Sequence, residues 1–478
     1  MYDLNILFDP VGAHCRRTVI TCGPDTGLVD AARLMSEKAI SSLVICEDGN
    51  PVGIITDRDL RTKVVSQGLD LQYQTVAAVM SRPLITIRED ERLFEAMHRI
   101  FHHGIHRIVV VDESCKLAGI ITDSDILRLQ ADTPHSLIRS IEHAHTVEEL
   151  AKLYQQMRRL VSRLFGAGVQ AGQLLHFCAL MQDEFILRLI NLLRSSRFSA
   201  LTDCFAIVLL GNSGRGEQLL APGQQSALIY ADNVTPAEFQ QIVQFSEALA
   251  ASMKAVGMQG SPAGVNLNNP TWRISLEGFT TLFDQWVVDP TPEHLQKAGI
   301  LSDMRTVYGD ASLTTALHRQ ITQRLKGNDQ VLDRMLDQLL RSKTLLGRFG
   351  QLKTVTRQQK EWLDLGHGGL CIIAEGIKAL ALFYGVQAQS SEERLKWLLE
   401  ANLLTLQQSD NLRSVFNNLN LFRLHAQVAA IRERRTPDNL LELDQLNPIE
   451  RGRLTTALEE VHLFRKLLRH FLRFKHVL

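Results

Sequence analysis

Hydrophobic and polar positions repeat twice within residues 18–131 of this chain. Apolar residues at helical spacing occur in both copies, 65 residues apart: Leu28, Ala32 and Met35, then Leu93, Met97 and Ile100. A β-branched run follows each helix, at residues 40–45 and 105–110, and a second run, at 53–56 and 119–122, precedes a closing helix. Each copy therefore predicts the order strand, helix, strand, strand, helix.

The next stretch, residues 135–198, has apolar residues at helical spacing on both sides of a break at Gly166–Gly172. Thr146 and Glu149 form a capping-box pattern that begins a helix. This stretch predicts a helical hairpin that links the repeat to the rest of the chain. We expect His143 and His176 to have structural roles here rather than to act as ligands.

A glycine-rich turn lies near the middle of the chain, after an apolar run. A buried strand at Phe205–Leu210 is predicted to enter the turn Gly211–Gly216, followed by a short helix and a strand at Ser226–Tyr230. Glycine lets backbone N–H groups approach an oxyanion closely, and an arginine supplies charge. The pattern predicts a phosphate cradle with the candidate residues Gly211, Ser213, Gly214, Arg215 and Glu217. An ordinary strand-to-helix turn is the alternative.

Residues 311–478 have apolar residues at helical spacing and predict an almost entirely helical region. The final helix combines an apolar stripe that includes Phe464 and Phe474 with a basic face: Arg465, Lys466, Arg469, His470, Arg473 and Lys475. We expect the stripe to pack on the helical bundle, with the cations favoured near the helix C-terminus. A helix that binds a membrane surface or nucleic acid is the alternative.

Composition narrows the classes of protein to which the chain can belong. It has 478 residues, 45% hydrophobic and 22% charged, and its formal net charge of zero lacks the positive excess typical of nucleic-acid binding. Its seven cysteines include no C-x-x-C pair, which disfavours a zinc site or a disulfide framework. With no signal-peptide pattern and no uninterrupted bilayer-length apolar run, we expect no membrane span, no nucleic-acid partner and a cytoplasmic location.

The ends of the two copies read Gly53-Ile-Ile-Thr-Asp-Arg-Asp59 and Gly119-Ile-Ile-Thr-Asp-Ser-Asp125. With these motifs the repeat resembles a tandem pair of CBS domains, a Bateman module, and the resemblance implies association as a homodimer. It also implies that an adenine nucleotide is bound as a regulatory ligand through two ribose-binding pairs: Thr56 with Asp59, and Thr122 with Asp125. A hydroxyl and a carboxylate one helical turn apart can both accept hydrogen bonds from a ribose diol. Alternatively, each pair is only a helix cap with a first-turn anion.

Short motifs along residues 140–478 resemble a bacterial nucleotidyltransferase-like family related to the enzyme that uridylylates the PII signal protein. They are Gly211-Asn-Ser-Gly-Arg-Gly-Glu217, Ala227–Tyr230, Asn269–Arg273, Ser302–Arg305 and Gly309-Asp310. The resemblance implies a nucleotidyltransferase domain followed by a helical domain that binds a substrate or partner. Arg273 and Arg305 are candidates either to face the cleft or to form helix-surface salt bridges.

One motif departs from this family. Where the family has Asp-x-Asp before the Ala227–Tyr230 strand, this chain has Gly223-Gln224-Gln225. Because nucleotidyl transfer uses divalent ions held by carboxylates, the change argues against bound Mg²⁺ and predicts a degenerate module. Asp303, at the family's third acidic position, is the remaining metal candidate. Gly366 and Lys378 stand where the family has a lysine and commonly an arginine, which weakens anion binding in the cleft.

We therefore predict an α+β multidomain protein. Its predicted parts are an N-terminal tail (1–17), two CBS units (18–72 and 76–132), a helical linker hairpin (135–198), a nucleotidyltransferase-like mixed α/β domain (199–310) and a C-terminal helical bundle (311–478).

The leading functional hypothesis is a signalling protein whose CBS pair senses an adenine nucleotide and regulates a degenerate nucleotidyltransferase-like module that binds a nucleotide or a protein partner. An active nucleotidyltransferase is the alternative. It would transfer a nucleoside monophosphate to a PII-like or other protein and would use Glu217, Asp232 and Asp303. In a third hypothesis the CBS pair is a dimerising platform without a ligand.

Overall fold

The computed structural model divides into two compact units, Met1–Arg139 and Ser140–Leu478. The residues that it describes are 7–68, 74–129, 134–347, 350–357 and 360–474. The predicted C-terminal ends of both CBS units, at 72 and 132, lie outside these residues, as do Lys475 and the side chain of Phe474 in the predicted basic helix.

The first unit contains the two repeats with the predicted order of elements. Its strands are β1 (Thr21–Cys22), β2 (Ser42–Glu47), β3 (Asn50–Thr56), β4 (Thr86–Arg88), β5 (Arg107–Val111) and β6 (Leu117–Thr122). Its helices are α1 (Val11–His14), α2 (Leu28–Glu37), α3 (Asp57–Asp59) with a π-helical continuation (Leu60–Val65), α4 (Val76–Val79), α5 (Leu93–His102) and α6 (Asp123–Leu129). The helix α7 (Pro134–His143) contains the point at which the chain is divided.

The two repeats form matching three-stranded sheets, with the orders β1-β2-β3 and β4-β5-β6. In each sheet the first pair is parallel and the second antiparallel, and the register shift at Ile45 recurs at Val110. Val44 of the first sheet packs in one cluster with Val109 and Val111 of the second. The internal repeat in the sequence is therefore an internal repeat of the fold.

The predicted N-terminal tail is folded from residue 7 onward. Leu7, Phe8 and Val11 are buried. Arg16 and Ile120 exchange backbone hydrogen bonds of 2.9 and 3.1 Å, which adds a residue pair to the free edge of β6. The segment therefore completes the second repeat.

A mixed four-stranded sheet lies at the centre of the second unit. Its strands are β7 (Phe205–Leu210), β8 (Gln225–Tyr230), β9 (Arg273–Ser275) and β10 (Arg305–Gly309), in the order β10-β7-β8-β9. Strand β7 is antiparallel to both neighbours, whereas β8 and β9 are parallel. Every residue of β7 is buried because helices cover both faces of the sheet.

The helices of the second unit are mostly long. They are α8 (Val147–Gly166), α9 (Ala171–Ser196), α10 (Gly211–Gly214), α11 (Pro236–Val256), α12 (Leu276–Val288), α13 (Pro292–Leu301), α14 (Ala311–Leu325), α15 (Asp329–Arg341), α16 (Cys371–Phe383), α17 (Ser391–Glu400), α18 (Leu406–Arg432) and α19 (Pro448–Phe474). The predicted hairpin is α8 and α9, and Thr146 caps α8 by accepting from the Glu149 N–H.

The C-terminal region is a helical domain, as predicted, but it also contains a small sheet that the sequence did not predict. Three short strands, β11 (Val355–Arg357), β12 (Lys360–Asp364) and β13 (Leu440–Glu442), form an antiparallel sheet. In strands of three to five residues, the alternation of apolar and polar positions is too short to be recognised in the sequence.

The apolar stripe of α19 packs on the bundle, as predicted. Phe464 and Leu468 are buried in one core with residues of α15 and α16, and Phe471 contacts Phe383 with ring centroids 6.1 Å apart. The segment Gly366–Phe383 is the stretch among the described residues that is long and apolar enough to cross a membrane, and 72% of it is buried inside the unit. Its apolar surface is therefore covered by the bundle core.

Candidate functional site

The turn after β7 needs glycine at two positions. Gly211 has φ +52°, in the left-handed region that side chains rarely adopt. A Cβ added to Gly214 would lie 1.8 Å from the carbonyl oxygen of Asp303. The turn closes as α10, with the Arg215 N–H donating to the Gly211 carbonyl at 2.9 Å. Gly214 therefore allows the turn to approach the backbone of residue 303.

Arg215, the predicted phosphate ligand, is buried among acceptors from its own chain. Its Nε donates to Glu217 Oε2 at 2.7 Å, and its two Nη atoms donate to Asp303 and Asn212. Glu375 Oε1 lies 3.4 Å from Nη1. Burial acts to lower the pKa of Arg215, but the three carboxylates outweigh it and hold the pKa well above its usual range. The guanidinium therefore stays charged and is largely neutralised by the protein.

Asp303 is the most enclosed carboxylate of this cluster, with no exposed surface. Oδ1 accepts from Arg394 Nη1 at 2.7 Å, and Oδ2 accepts from Lys378 Nζ at 2.9 Å and from Arg215. Burial acts to raise the pKa of Asp303, but the three cations outweigh it and hold the pKa well below its usual range. Both oxygens of the candidate metal ligand are thus bonded to cations.

The neighbouring carboxylates complete this buried network. Glu217 Oε1 accepts from the Ser391 N–H at 2.8 Å, and Glu375 Oε2 lies 2.6 Å from Lys378 Nζ. The network joins the turn after β7, the segment that leads into β10, and helices α16 and α17. Removing one partner from such a network commonly costs about 3–5 kcal/mol, because an uncompensated buried charge is left behind.

A cavity of about 550 Å³ opens beside this network. This volume is within the usual range for small-molecule sites. The charged network forms part of its wall, and amide side chains form another part: Asn212, Gln225, Gln296, Gln338, Asn420 and Asn439. Asn420 is fully buried, and its Oδ1 has no hydrogen-bond partner within the described part of the chain. The cavity therefore offers neutral donors and acceptors together with cations that already have partners.

The segment that replaces Asp-x-Asp has its own geometry. Gly223 has φ +115°, a conformation that an aspartate would adopt only with strain. Gln225 lines the cavity, with its Oε1 close to Gly211, whereas Gln224 lines a different cavity. An aspartate at position 223 would therefore be strained in this backbone.

The three carboxylates needed by the active-enzyme alternative are bonded to other groups of the protein. Asp232 follows β8 and accepts from the Glu277 N–H at 2.8 Å, which caps α12. Glu217 and Asp303 are both bonded to Arg215. Among the residues that the structure describes, no group of three His, Cys, Asp or Glu side chains is arranged to hold a metal ion.

The Thr and Asp pairs of the repeats have the predicted capping geometry. Thr56 Oγ1 donates to Asp59 Oδ2 at 2.6 Å and accepts from the Asp59 N–H at 3.2 Å. The equivalent bonds from Thr122 to Asp125 and back are 2.7 and 3.1 Å. Each pair is therefore a helix cap, and its carboxylate has one further oxygen facing other groups.

That further oxygen has different partners in the two repeats. Asp59 Oδ1 lies 2.7 Å from Lys63 Nζ and 3.3 Å from Ser81 Oγ. Asp125 Oδ1 accepts from Arg16 Nη2 at 2.7 Å, and the Arg16 side chain is 63% exposed. In both aspartates burial acts to raise the pKa, but the hydrogen bonds outweigh it and lower the pKa. In the second repeat, one exposed arginine side chain covers this oxygen. In the first repeat, Lys63 and Ser81 cover it, and both belong to that repeat.

A separate cavity of the first unit, lined by Pro51, Arg82, Leu84 and neighbours, includes none of these four ribose-binding candidates.

Comparison with protein families identifies the modules. The description "CBS domain" matches residues 11–66 and 76–132. "Putative nucleotidyltransferase DUF294" matches residues 155–293, and "Putative nucleotidyltransferase substrate binding domain" matches residues 329–471. The chain therefore contains a CBS pair, followed by a DUF294 putative nucleotidyltransferase domain and a putative nucleotidyltransferase substrate-binding domain. The order of the three modules is the predicted one.

Several curated proteins are similar over part of this chain. An uncharacterized protein of Methanopyrus kandleri is 40% identical over 148 residues, which are 31% of this chain and 71% of the relative. An uncharacterized protein of Methanocaldococcus jannaschii is 33% identical over 24% of this chain and 36% of the relative. Inosine-5′-monophosphate dehydrogenase of Thermoplasma acidophilum is 35% identical over 24% of this chain, and the match spans only 22% of that enzyme.

Two of the similar solved structures are CBS-domain structures with bound ligands. The CBS pair of protein MJ0100, in complex with 5′-methylthioadenosine and S-adenosyl-L-methionine, is 29% identical, with a TM-score of 0.24 over 26% of this chain and 95% of that one. CBSX2 in complex with AMP is 25% identical, with a TM-score of 0.22 over 25% of this chain and 94% of that one.

Two arginines of the DUF294 module have roles that the sequence did not predict. Arg273 lies on β9 rather than on a helix, is buried, and donates to Ser246 Oγ at 2.8 Å. It therefore neither lines the central cavity nor forms a surface salt bridge. Arg305 lies on β10 and forms a two-bond ion pair with Asp183 of α9, at 2.6 and 3.0 Å. Arg305 thereby ties the linker hairpin to the central sheet.

Sequence reasoning also missed residues of the buried network. Arg394 bonds Asp303 across 91 positions of sequence, and Glu375 lies with Lys378 in the otherwise apolar helix α16. A charged residue within an apolar helix is the one signal that pointed to this network, because it needs a buried partner.

We expect Gly214→Ala to destabilise the second unit by about 1–3 kcal/mol or more, because the new Cβ would overlap the Asp303 carbonyl. Urea denaturation followed by circular dichroism measures this. Gly452→Ala in α19 is the matched control, since no atom lies within 4 Å of its added Cβ, and it should leave stability unchanged or slightly raised. Equal stability of the Gly214→Ala protein would contradict the close approach.

Lowering the pH should decrease the free energy of unfolding of the second unit, because Asp303 then becomes protonated. Because its pKa is lowered on folding, its contribution is fully present above its unfolded pKa of about 3.9 and is lost as the pH falls towards the folded value. We therefore expect Asp303→Asn to be less stable at neutral pH. Below pH ~4, we also expect its slope of unfolding free energy to be shallower by up to about 1.4 kcal/mol per pH unit.

Urea titrations at several pH values measure these slopes. Asp289→Asn, at a 72% exposed side chain, serves as the control. Parallel slopes for the Asp303→Asn protein and the unaltered protein would show that Asp303 is not held as the structure indicates.

Proposed function

We propose that this protein is a nucleotide-responsive regulator. Its CBS pair binds an adenine nucleotide and associates as a homodimer, and its DUF294 module binds a nucleotide or a protein partner, such as a PII-like protein, without transferring a nucleotidyl group. The observation that carries this proposal is the loss of the metal ligands. Gly223-Gln224-Gln225 replaces Asp-x-Asp, and Asp303 is enclosed by three cations.

Charge explains why a divalent ion is disfavoured at Asp303. An ion approaching its oxygens would have to displace Arg215, Lys378 or Arg394, and would then meet the repulsion of the cations that remain. The carboxylates that usually neutralise two metal ions in nucleotidyl transfer have no equivalent at Gly223 and Gln225.

The central cavity still suits a ligand without metal. Its amide side chains can bind a base or a ribose, both of which present neutral donors and acceptors. Arg215 and Lys378 are already paired with Glu217, Glu375 and Asp303. These three carboxylates also balance the charge of Arg423, the third cation of the lining, so the wall offers little net charge to a triphosphate. We therefore favour a nucleoside or a nucleoside monophosphate as the ligand of this cavity.

In the CBS pair, the second cleft is the stronger candidate for the adenine nucleotide. A ribose that binds Asp125 has to displace only the exposed Arg16 side chain, whereas at Asp59 it competes with both Lys63 and Ser81. Displacing an exposed ion pair costs little, because such pairs contribute about 1 kcal/mol or less.

Calorimetry with AMP tests the CBS proposal. We expect Asp125→Ala to weaken binding at least tenfold, since a charge-assisted hydrogen bond is lost, and we expect Asp59→Ala to have a smaller effect. Asp30→Ala, at an exposed aspartate of α2 in the same unit, is the control. Absence of adenine-nucleotide binding would favour the ligand-free dimerising platform instead.

Incubation with labelled UTP or ATP and Mg²⁺ or Mn²⁺ tests the proposed absence of transfer. We expect no labelled product, either on the protein itself or on a PII-like protein, and no metal-dependent nucleotide binding by the second unit. Labelling that disappears in Ser213→Ala would establish an active nucleotidyltransferase and refute the proposal.

The double variant Gly223→Asp, Gln225→Asp extends this test. Because the backbone at residue 223 disfavours a side chain, we expect the two carboxylates alone not to restore metal binding.

A further inference from the structure

A second cavity of the DUF294 module, of about 250 Å³, lies against the segment that replaces Asp-x-Asp. Gln224 lines this cavity and the next residue, Gln225, lines the central one. Successive residues of an extended segment point to opposite sides, so the two cavities lie on opposite sides of this segment. None of the residues assigned above to nucleotide or metal binding lines the second cavity.

The charge of this cavity differs from that of the central one. Three arginines line it, Arg158, Arg434 and Arg435, and no aspartate or glutamate does. Arg435 is paired with Glu433 at 2.7 Å and lies over the ring of Trp362. Within the part of the chain that the structure describes, no carboxylate pairs with Arg158 or Arg434. The cavity therefore has two cations without counter-charges.

Two buried donors of the lining also have no acceptor among the described residues. They are Nε of Arg158 and Nε2 of Gln224, whose residue is only 5% exposed. A buried donor without a partner costs about 1–3 kcal/mol, so a ligand that accepts hydrogen bonds here would recover that cost. Arg158 has one hydrogen bond of its own, a 3.3 Å contact to the amide oxygen of Gln155.

Arg434 is held in an unusual conformation. Its φ of +57° is in the left-handed region, directly after α18. A left-handed residue commonly ends a helix at this position, and for a non-glycine residue the conformation costs free energy. The conformation brings the Arg434 side chain to the lining of the cavity.

We propose that this cavity binds a small phosphate-bearing anion through Arg158, Arg434 and the side-chain amide of Gln224. Phosphate oxygens accept pairs of hydrogen bonds from a guanidinium group. They also carry the negative charge that would balance the two arginines. The cavity has less than half the volume of the central one, which favours a phosphate, a pyrophosphate or a small phosphorylated metabolite over a whole nucleotide.

A hydrogen-bond path connects this site with the central cavity. Gln427 Oε1 accepts from the N–H groups of Leu220 and Ala221, at 2.8 and 3.2 Å, in the segment that lines the anion site. Its Nε2 donates at 3.0 Å to Oδ1 of Asn439, which lines the central cavity. The Gln427 side chain is therefore bonded to the lining of both cavities.

Calorimetric titration of the full chain with pyrophosphate and with inorganic phosphate tests the site. We expect binding that weakens about tenfold or more in Arg158→Gln and in Arg434→Gly, because each change removes a charge-assisted contact. Glycine is favoured at φ +57°, so Arg434→Gly removes the guanidinium without straining the backbone. Its circular dichroism and thermal midpoint without ligand check that the fold is retained.

Arg159→Gln is the matched control, because Arg159 is the exposed neighbour of Arg158 on α8 and lines neither cavity. It should bind like the unaltered protein. Unchanged pyrophosphate affinity in both Arg158→Gln and Arg434→Gly would overturn the proposal, as would loss of binding only in Gln225→Ala, which would place the anion in the central cavity. Citrate that binds as tightly as pyrophosphate, with the same response to the variants, would overturn the assignment to phosphate.

These outcomes are independent of the proposed regulatory function. The variants lie outside the CBS pairs and the Asp303 network, so AMP binding and the absence of nucleotidyl transfer are measured separately from this site.

Discussion

One buried carboxylate, that of Asp303, determines the arrangement around the central cleft. It has no contact with solvent, and it is bonded to Arg215, Lys378 and Arg394, which come from the turn after β7 and from two C-terminal helices. A buried charge is tolerated only when it is paired and hydrogen-bonded, so these elements have to meet at this point. The glycine at position 214 allows the approach, since no side chain fits there.

The same network decides what the cleft can do chemically. In a metal-dependent transferase the acidic residues of such a cleft bind divalent ions, which in turn neutralise the phosphates of the substrate. Here arginine and lysine side chains form ion pairs with the acidic residues, so the negative charge of the cleft is neutralised by the protein itself. What remains available to a ligand is a set of amide side chains and a wall of paired ions. This is the physical basis for proposing binding without transfer.

The CBS pair shows how a repeated sequence produces two unequal sites. Both Thr–Asp pairs form the same cap, with bonds of nearly equal length. The inequality comes from residues outside the motif: Lys63 and Ser81 at one aspartate, and Arg16, from the segment that completes the second repeat, at the other. A motif thus specifies the cap, while residues outside the motif determine the other partners of its carboxylate.

Much of the fold is determined locally, and the sequence was sufficient there. The repeat, the hairpin of α8 and α9, the caps at Thr56 and Thr146 and the turn at Gly211 follow from hydrophobic period, capping chemistry and the conformational freedom of glycine. The order of the CBS pair, the nucleotidyltransferase-like module and its C-terminal domain was likewise recognised from motifs. The absence of the Asp-x-Asp carboxylates is also a fact of sequence alone.

Only the tertiary structure decided the partners of the charged residues. The sequence predicted Arg215 as a phosphate ligand and Asp303 as a metal ligand. In the folded chain these two residues, 88 positions apart, are bonded to each other. It buried Arg273 on a strand, paired Arg305 with Asp183, and assembled a small sheet from strands too short to have a recognisable period. The physical reason is one of range. Hydrophobic periodicity and helix capping depend on residues that are neighbours in sequence, whereas a charged side chain pairs with any group that the fold places within a few ångströms of it.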